Sequence, residues 1–176
     1  IEGGCLTYKD ESLTSKITLE RNFGVNGYTL ENFGINAKMN EFQAAMGICN
    51  LRHIDEELLS RKEVFEHYSR RLNGVCGIDL LKVHDGIKQN YAYYPILVDS
   101  CKFKKNRDEV QNELASHDIY ARKYFYPLVS ENKGFSEDMT KNTPKAKKYS
   151  ENIICLPMYA HLQSEDVDRI CDIILK

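Results

Sequence analysis

Residues able to do chemistry are sparse in this chain, and most stand apart from one another. The five histidines, His53, His67, His84, His117 and His161, have no partner in a recognisable local pattern. Those at 53 and 67 fall on a predicted helix, where a polar-face or capping role is the default. The cysteines at 5, 49, 76, 101, 155 and 171 form no C-x-x-C pair and have no histidine at metal-ligand spacing, so no metal site is expected. Cys49, Cys155 and Cys171 lie in apolar patterns and read as buried free thiols, which fits a reducing, cytoplasmic setting. The acidic pairs Glu56-Glu57 and Glu165-Asp166 read as helix surface or caps. No G-x-S-x-G, H-E-x-x-H, P-loop or G-x-G-x-x-G pattern occurs. One stretch is different, running from Gly34 through Asn36, Lys38 and Asn40 to Ala45. A Gly/Asn-rich loop entering a helix N-terminus exposes unpaired backbone N–H groups, which suits an anion such as phosphate. Asn36 adds a side-chain donor and Lys38 a positive charge. A capped helix start with no ligand has the same pattern.

The elements that must position these residues follow from periodicity. Gly3 to Tyr8 reads as a short strand. Asp10 reads as the N-cap of a helix through about Glu20, with Leu13, Ile17 and Phe23 on its inner side. Residues 22–38, rich in Gly and Asn, read as a long loop. A helix from about Asn40 to Asn73 carries Phe42, Met46, Cys49, Ile54, Leu58, Phe65, Tyr68 and Leu72 at helical spacing, with a kink expected near Asp55 and a stop at Asn73-Gly74. Strands are predicted at 78–83 and 91–98, with Pro95 placing the second at an edge or a bulge. A helix over 106–116 turns Val110 and Leu114 inward, and 119–126 is aromatic and extended. Thr143-Pro144 opens a helix, 153–156 is a strand, and Ser164 opens a last helix with Val167, Ile170, Cys171, Ile174 and Leu175 as its buried stripe. This order implies an α/β fold, a small sheet with packed helices, preceded by one long interdomain helix.

Composition narrows the classes further. A 42% hydrophobic, 28% charged chain of net charge −2 is a globular domain with no basic bias toward nucleic acid. The stretches Lys102, Lys104, Lys105, Arg107 and Lys141, Lys145, Lys147, Lys148 read as solvated faces. No apolar run approaches the ~18 residues of a transmembrane helix, so no membrane partner is expected. The chain opens at Ile1 without Met and without a signal-peptide pattern, which reads as a truncated or processed product.

Five blocks, EGGCLTYKDESL, RNFG, GINAKMNEFQAAMGICNLRHID, ARKYFYPL and LPMYAHLQSEDVDRI, together resemble the DegT/DnrJ/StrS-type sugar aminotransferases, from Glu2 to about Ile174. These are fold-type I enzymes dependent on pyridoxal 5'-phosphate (PLP). The resemblance implies a C-terminal half: residues 1–40 as a remnant of the large cofactor-binding domain, 41–73 as the linking helix, 74–176 as the small C-terminal domain. It implies a homodimer that moves an amino group from glutamate to a nucleotide-linked keto-sugar, a dTDP-linked 3- or 4-keto-6-deoxyhexose of the kind used in lipopolysaccharide or O-antigen. The Schiff-base lysine lies a few residues before the E-G-G segment, hence upstream of Ile1, so the chain alone is expected to be inactive and not to retain PLP. By the same resemblance Asn36 reaches the PLP phosphate of the partner subunit. Lys38 stands where an arginine is commoner, keeping the charge without the fork. Glu41 and Gln43 either share that site or merely order the helix start. Tyr124, Phe125 and Tyr126 line the sugar-nucleotide end or form an aromatic core strand, and Val129 replaces a histidine frequent in relatives. The alternatives are a PLP-dependent sugar dehydratase of the same family and a non-catalytic binding or dimerisation module.

Overall fold

The computed structural model describes residues 2–132, 134 and 143–176. They divide into two compact units, one ending at Ile54 and the other beginning at Asp55. In the first unit, helix α1 (Leu13–Arg21) is followed by strands β1 (Val25–Asn26) and β2 (Thr29–Leu30) and by the start of α2 (Glu41–Leu72). The segment expected to be a loop is therefore a closed structure. β1 and β2 pair antiparallel around Gly27, whose φ of 60° an L side chain rarely adopts. A bridge joins Asn22 to Asn36. The Phe23 N–H donates to the Ile35 carbonyl (3.1 Å), and the Ile35 N–H donates to that of Glu20 (2.9 Å). These bonds bring Gly24 and Gly34 backbone to backbone. A methyl group on Gly34 would overlap the Gly24 nitrogen and the Glu20 carbonyl, and one on Gly24 would overlap the Asn32 carbonyl.

Other expectations for this unit are corrected. Residues 3–8 form no strand, because no other described strand lies beside them to take their backbone hydrogen bonds. Asp10 does not cap α1 directly; its carboxylate accepts from the N–H and hydroxyl of Ser12, the residue just before the helix. Nor does α1 bury an inner side: Leu13 and Phe23 are exposed and Ile17 is half-buried. α2 is assigned as one helix from Glu41 to Leu72. Its first turns leave Phe42 (82% exposed), Met46 and Cys49 in solvent, so Cys49 is not a buried thiol.

In the second unit β3 (Ile78–Leu80), β4 (Tyr94–Val98) and β5 (Ile153–Leu156) form an antiparallel sheet in the order β3-β4-β5. Helices α3 (Arg107–Ser116), α4 (Pro144–Asn152) and α5 (Ser164–Leu175) complete it. Tyr94, Ile96 and Val98 of β4 are buried while Pro95 and Leu97 are half-exposed, so one face of the sheet is core. Tyr68 of α2 stacks on Tyr94 at 4.7 Å and Phe65 meets it edge-on at 4.9 Å. The Tyr68 hydroxyl donates to the Pro157 carbonyl (3.0 Å), and burial pushes both tyrosine hydroxyls up in pKa. Val110 and Leu114 fill the α3 side as expected, and Asn106 caps α3 with a reciprocal bond from Glu109. On α5 the stripe is Val167, Ile170, Cys171, Ile173 and Ile174; Leu175, expected inside, is exposed at the helix end.

Pro95 sits in the central strand, not at an edge. Cys155, its partner on β5, directs its own backbone bonds to Arg122 on the far side. Pro95 is thus in a non-hydrogen-bonded pair there, and its nitrogen faces the β3 side beyond the last pair, Leu80 with Ile96. The extended 119–126 segment shrinks to one bridge, Arg122 to Cys155, after which residues 124–125 turn. Arg107, expected on a solvated face, is buried: its guanidinium donates to the carbonyls of Ser150 (3.0 Å) and Ile153 (3.3 Å) and ties α4 to β5. Lys147 is engaged by Glu131 and Glu151, whereas Lys141 lies outside the described residues. His67, expected to lack a partner, binds Asp168 at 2.9 Å across α2 and α5, and Arg71 joins Asp168 and Asp172.

Two outcomes follow from this packing. Gly34→Ala should cost about 2 kcal/mol or more, as an enforced backbone overlap does, read from urea unfolding of the first unit; an unchanged midpoint contradicts the crossing. His67 and then Arg71 hold the Asp168 carboxyl below its ordinary value of 3.8. A depressed carboxylate stabilises above the unfolded value and loses that contribution as pH falls through the folded one. Stability should therefore drop more steeply below about pH 4 in the native chain than in Asp168→Asn, by urea midpoints from pH 6 to pH 3.

Candidate functional site

The glycine crossing sets where Asn36 and Lys38 sit. Asn36 is pinned to Asn22 by its bridge, and its side-chain oxygen accepts the Lys38 N–H at 3.5 Å. With the oxygen engaged, its amide NH2 remains a donor. The Lys38 ammonium stands 4.2 Å from the centre of the exposed Phe23 ring, and no carboxylate pairs with it among the described residues. It borders an open groove of about 780 Å³ beside α1, with Lys16, Arg21, Thr14, Ser15 and Thr18. Its lining carries Lys16, Arg21 and Lys38 against one carboxylate, Glu31, and Lys16 is paired with Glu20 at 4.0 Å; Asn36 is not in its wall.

The start of α2 answers the question about Gln43. The Asn40 side chain accepts from the Gln43 N–H (2.9 Å), and the Gln43 side chain accepts from the Asn40 N–H (2.9 Å). This reciprocal cap uses helix-start donors that the sequence pattern left open to an anion. Gln43 also donates to the Glu2 carbonyl (2.8 Å), tying the chain start to the helix. A donor set of one amide and one ammonium, both exposed, fits a phosphate beside the capped helix.

In the second unit the three aromatic residues of the 124–126 segment have different surroundings. Tyr124 lines a cavity of about 260 Å³, together with Tyr93, Tyr120, Arg122, Cys155 and Tyr159 among others. Phe125 and Tyr126 do not. Phe125 is exposed with its ring 4.9 Å from that of Tyr124, and the Tyr126 ring has the Arg107 guanidinium at 4.8 Å and the Lys123 ammonium at 5.6 Å. Arg122 donates to the Tyr124 hydroxyl, which holds its guanidinium more basic. Tyr93 meets the Tyr124 ring edge-on at 5.4 Å. Burial pushes up the pKa of the Cys155 thiol in this wall.

Tyr93, Tyr120, Arg122 and Tyr159 were not singled out from the sequence. The available signal was parity: β4 alternates core residues at 94, 96 and 98, which turns Tyr93 to the other face. The bridge of Arg122 to Cys155, which brings Tyr120 and Arg122 alongside β5, has no local signature.

Relatives bear on both units. The chain is 34% identical over 178 residues to the dTDP-4-amino-4,6-dideoxy-D-glucose transaminase of Escherichia coli, covering 99% of this chain and 48% of that protein. It is 27% identical over 173 residues to a GDP-perosamine synthase of Caulobacter vibrioides, covering 96% and 46%. The chain thus spans about half the length of the curated relatives it matches. Its fold is shared with the crystal structure of DesV from S. venezuelae, at a TM-score of 0.84 and 22% identity, over 94% of this chain and 44% of that one. The α/β reading, a small sheet with packed helices after a long helix, is the fold of this part of such chains. A family match over residues 1–175 takes in both units, and the chain belongs to the DegT/DnrJ/EryC1/StrS aminotransferase family.

Proposed function

We propose that this chain is the C-terminal half of a PLP-dependent aminotransferase that moves an amino group from glutamate to a keto-deoxysugar carried on a nucleotide, with a dTDP-linked 4-keto-6-deoxyhexose as its first candidate. The observation that carries the reading is the 34% identity, over 99% of this chain, to a transaminase named for a dTDP-4-amino-4,6-dideoxy sugar. On this reading residues 1–40 belong to the large cofactor-binding domain, 41–73 link, and 74–176 form the small domain. On the same reading the intact protein is a cytoplasmic homodimer.

When bound, PLP supplies the electron sink for exchange of the amino group. This chain's own residues bind and orient. The Asn36 amide and the Lys38 ammonium offer a donor and a charge to the phosphate of the cofactor in the partner subunit. Lysine in place of arginine gives a point charge without a bidentate fork. The cap of Asn40 and Gln43 fixes the helix that follows, and the Gly24–Gly34 crossing fixes the loop that carries both donors. At the sugar-nucleotide end Tyr124 presents its ring and hydroxyl, with Phe125 and Tyr126 exposed beside it.

The test is an incubation of the full-length protein with PLP, glutamate and a panel of dTDP- and GDP-linked keto-sugars, with products read by mass spectrometry. Formation of an amino-sugar nucleotide that depends on glutamate is the expected result. Loss of a hydroxyl without glutamate would assign the dehydratase branch, and no change in any sugar would overturn the reading. Lys38→Gln should weaken PLP binding by about tenfold, the scale of one charge-assisted hydrogen bond, by absorbance titration.

A further inference from the structure

We infer that Cys76 and Cys101 are a redox pair that closes into a reversible disulfide, with glutathione disulfide or another small disulfide as the oxidant. The bond staples the turn before β3 to the turn after β4, and it is independent of the proposed reaction.

The second unit holds four of the six cysteines. Cys155 and Cys171 are buried, which pushes both thiols up in pKa, that of Cys171 to about 12. At neutral pH they stay protonated and shielded from an oxidant. Cys76 and Cys101 are exposed, and the fold brings together the turns that carry them.

Residues 75–78 make one turn, closed by the Ile78 N–H on the Val75 carbonyl (3.1 Å), with Gly77 at a φ of 82°. Residues 99–103 make the other. There the Lys102 and Phe103 N–H groups donate to the Asp99 carbonyl (3.0 and 2.8 Å), and the Cys101 N–H donates to the Asp99 carboxylate (3.0 Å). The Asp99 N–H, donating to the Gly77 carbonyl at 2.8 Å, joins the two turns. They pass so closely that a methyl group on Gly77 would lie 2.4 Å from the Phe103 nitrogen. With no side chain between the turns at this point, the Cys76 thiol rests 3.9 Å from the carbonyl oxygen of Lys102, the residue next to Cys101. Adjoining starting points suit a disulfide, whose Cα atoms stand roughly 4–7 Å apart.

Two thiols without a third ligand do not suit a metal, and no group of three or more His, Cys, Asp or Glu side chains converges among the described residues. Thiol–disulfide exchange balances with these two thiols and the oxidant. One protein thiolate attacks a sulfur of glutathione disulfide, forming a mixed disulfide and releasing one glutathione. The second protein thiolate attacks the protein sulfur of that mixed disulfide and releases the other glutathione. Two S–H bonds of the protein become one S–S bond, two electrons pass to the oxidant, and two protons end on the released glutathiones. Reduced glutathione reverses both steps, as a sensing disulfide in a reducing compartment requires.

Equilibration of the full-length protein with glutathione disulfide and glutathione, followed by acid quench and tryptic mapping, tests the pair. Cleavage after Arg71, Lys82, Lys88 and Lys102 puts Cys76 in peptide 72–82 and Cys101 in peptide 89–102. The expected product is these two peptides joined, two hydrogens lighter than their sum and separated by dithiothreitol. In the unfolded chain the intervening loop alone sets an effective concentration on the order of millimolar. Native protein should therefore give a ratio of joined peptide to glutathione adducts about tenfold or more above that of protein unfolded in urea. Cys76→Ser and Cys101→Ser should each leave only a glutathione adduct at the remaining cysteine. Separate adducts in native protein, both thiols free at every glutathione ratio, Cys76 joined to another cysteine, or an equal ratio in urea would overturn the inference.

Discussion

The alternation of side chains along strand β4 is the constraint on which the second unit depends. Because successive residues face opposite sides of a sheet, seating Tyr94, Ile96 and Val98 in the core leaves Tyr93, Pro95 and Leu97 on the other side. The core side is closed by Tyr68 and Phe65 of α2 against Tyr94, and by the buried stripes of α3 and α5. A slip of one residue would reverse both faces at once, so the register that stabilises the unit also decides which rings reach the cavity. Pro95 fits this central strand because its missing donor faces the place where β3 has ended.

The first unit rests on a different constraint, the close passage of two backbones. Gly24 and Gly34 approach so nearly that no side chain fits between them, and the hydrogen bonds around them close the loop. Asn36 and Lys38 follow directly on this crossing, so two exposed donors are carried by a chain path fixed a few residues earlier. The cap of Asn40 and Gln43 continues that rigid path into α2.

Helices were legible because their signals are local: Thr143-Pro144 and Asn73-Gly74 mark boundaries within a few residues of sequence, and Val110 and Leu114 mark the inner side of α3. Strand β5 was legible from its apolar run. What periodicity missed depends on distant partners. Arg107 looked like one more surface cation until the carbonyls of Ser150 and Ile153 surrounded it. His67 meets Asp168 across 101 residues of chain. Residues 22–38 have loop composition because glycine and asparagine are what a tight crossing requires, and composition does not separate that from an open loop. Asn36 and Lys38 in the first unit and Tyr124 in the second were named from sequence, and the rings that join Tyr124 were not. Their grouping depends on the single bridge of Arg122 to Cys155.

The central claim is that the loop fixed by the Gly24–Gly34 crossing presents Asn36 and Lys38 to an anion. A crystal structure of the full-length protein with PLP tests it most directly. The account predicts the Asn36 amide and the Lys38 ammonium within hydrogen-bond distance of the cofactor phosphate held by the partner subunit. A phosphate touched by neither side chain would contradict it.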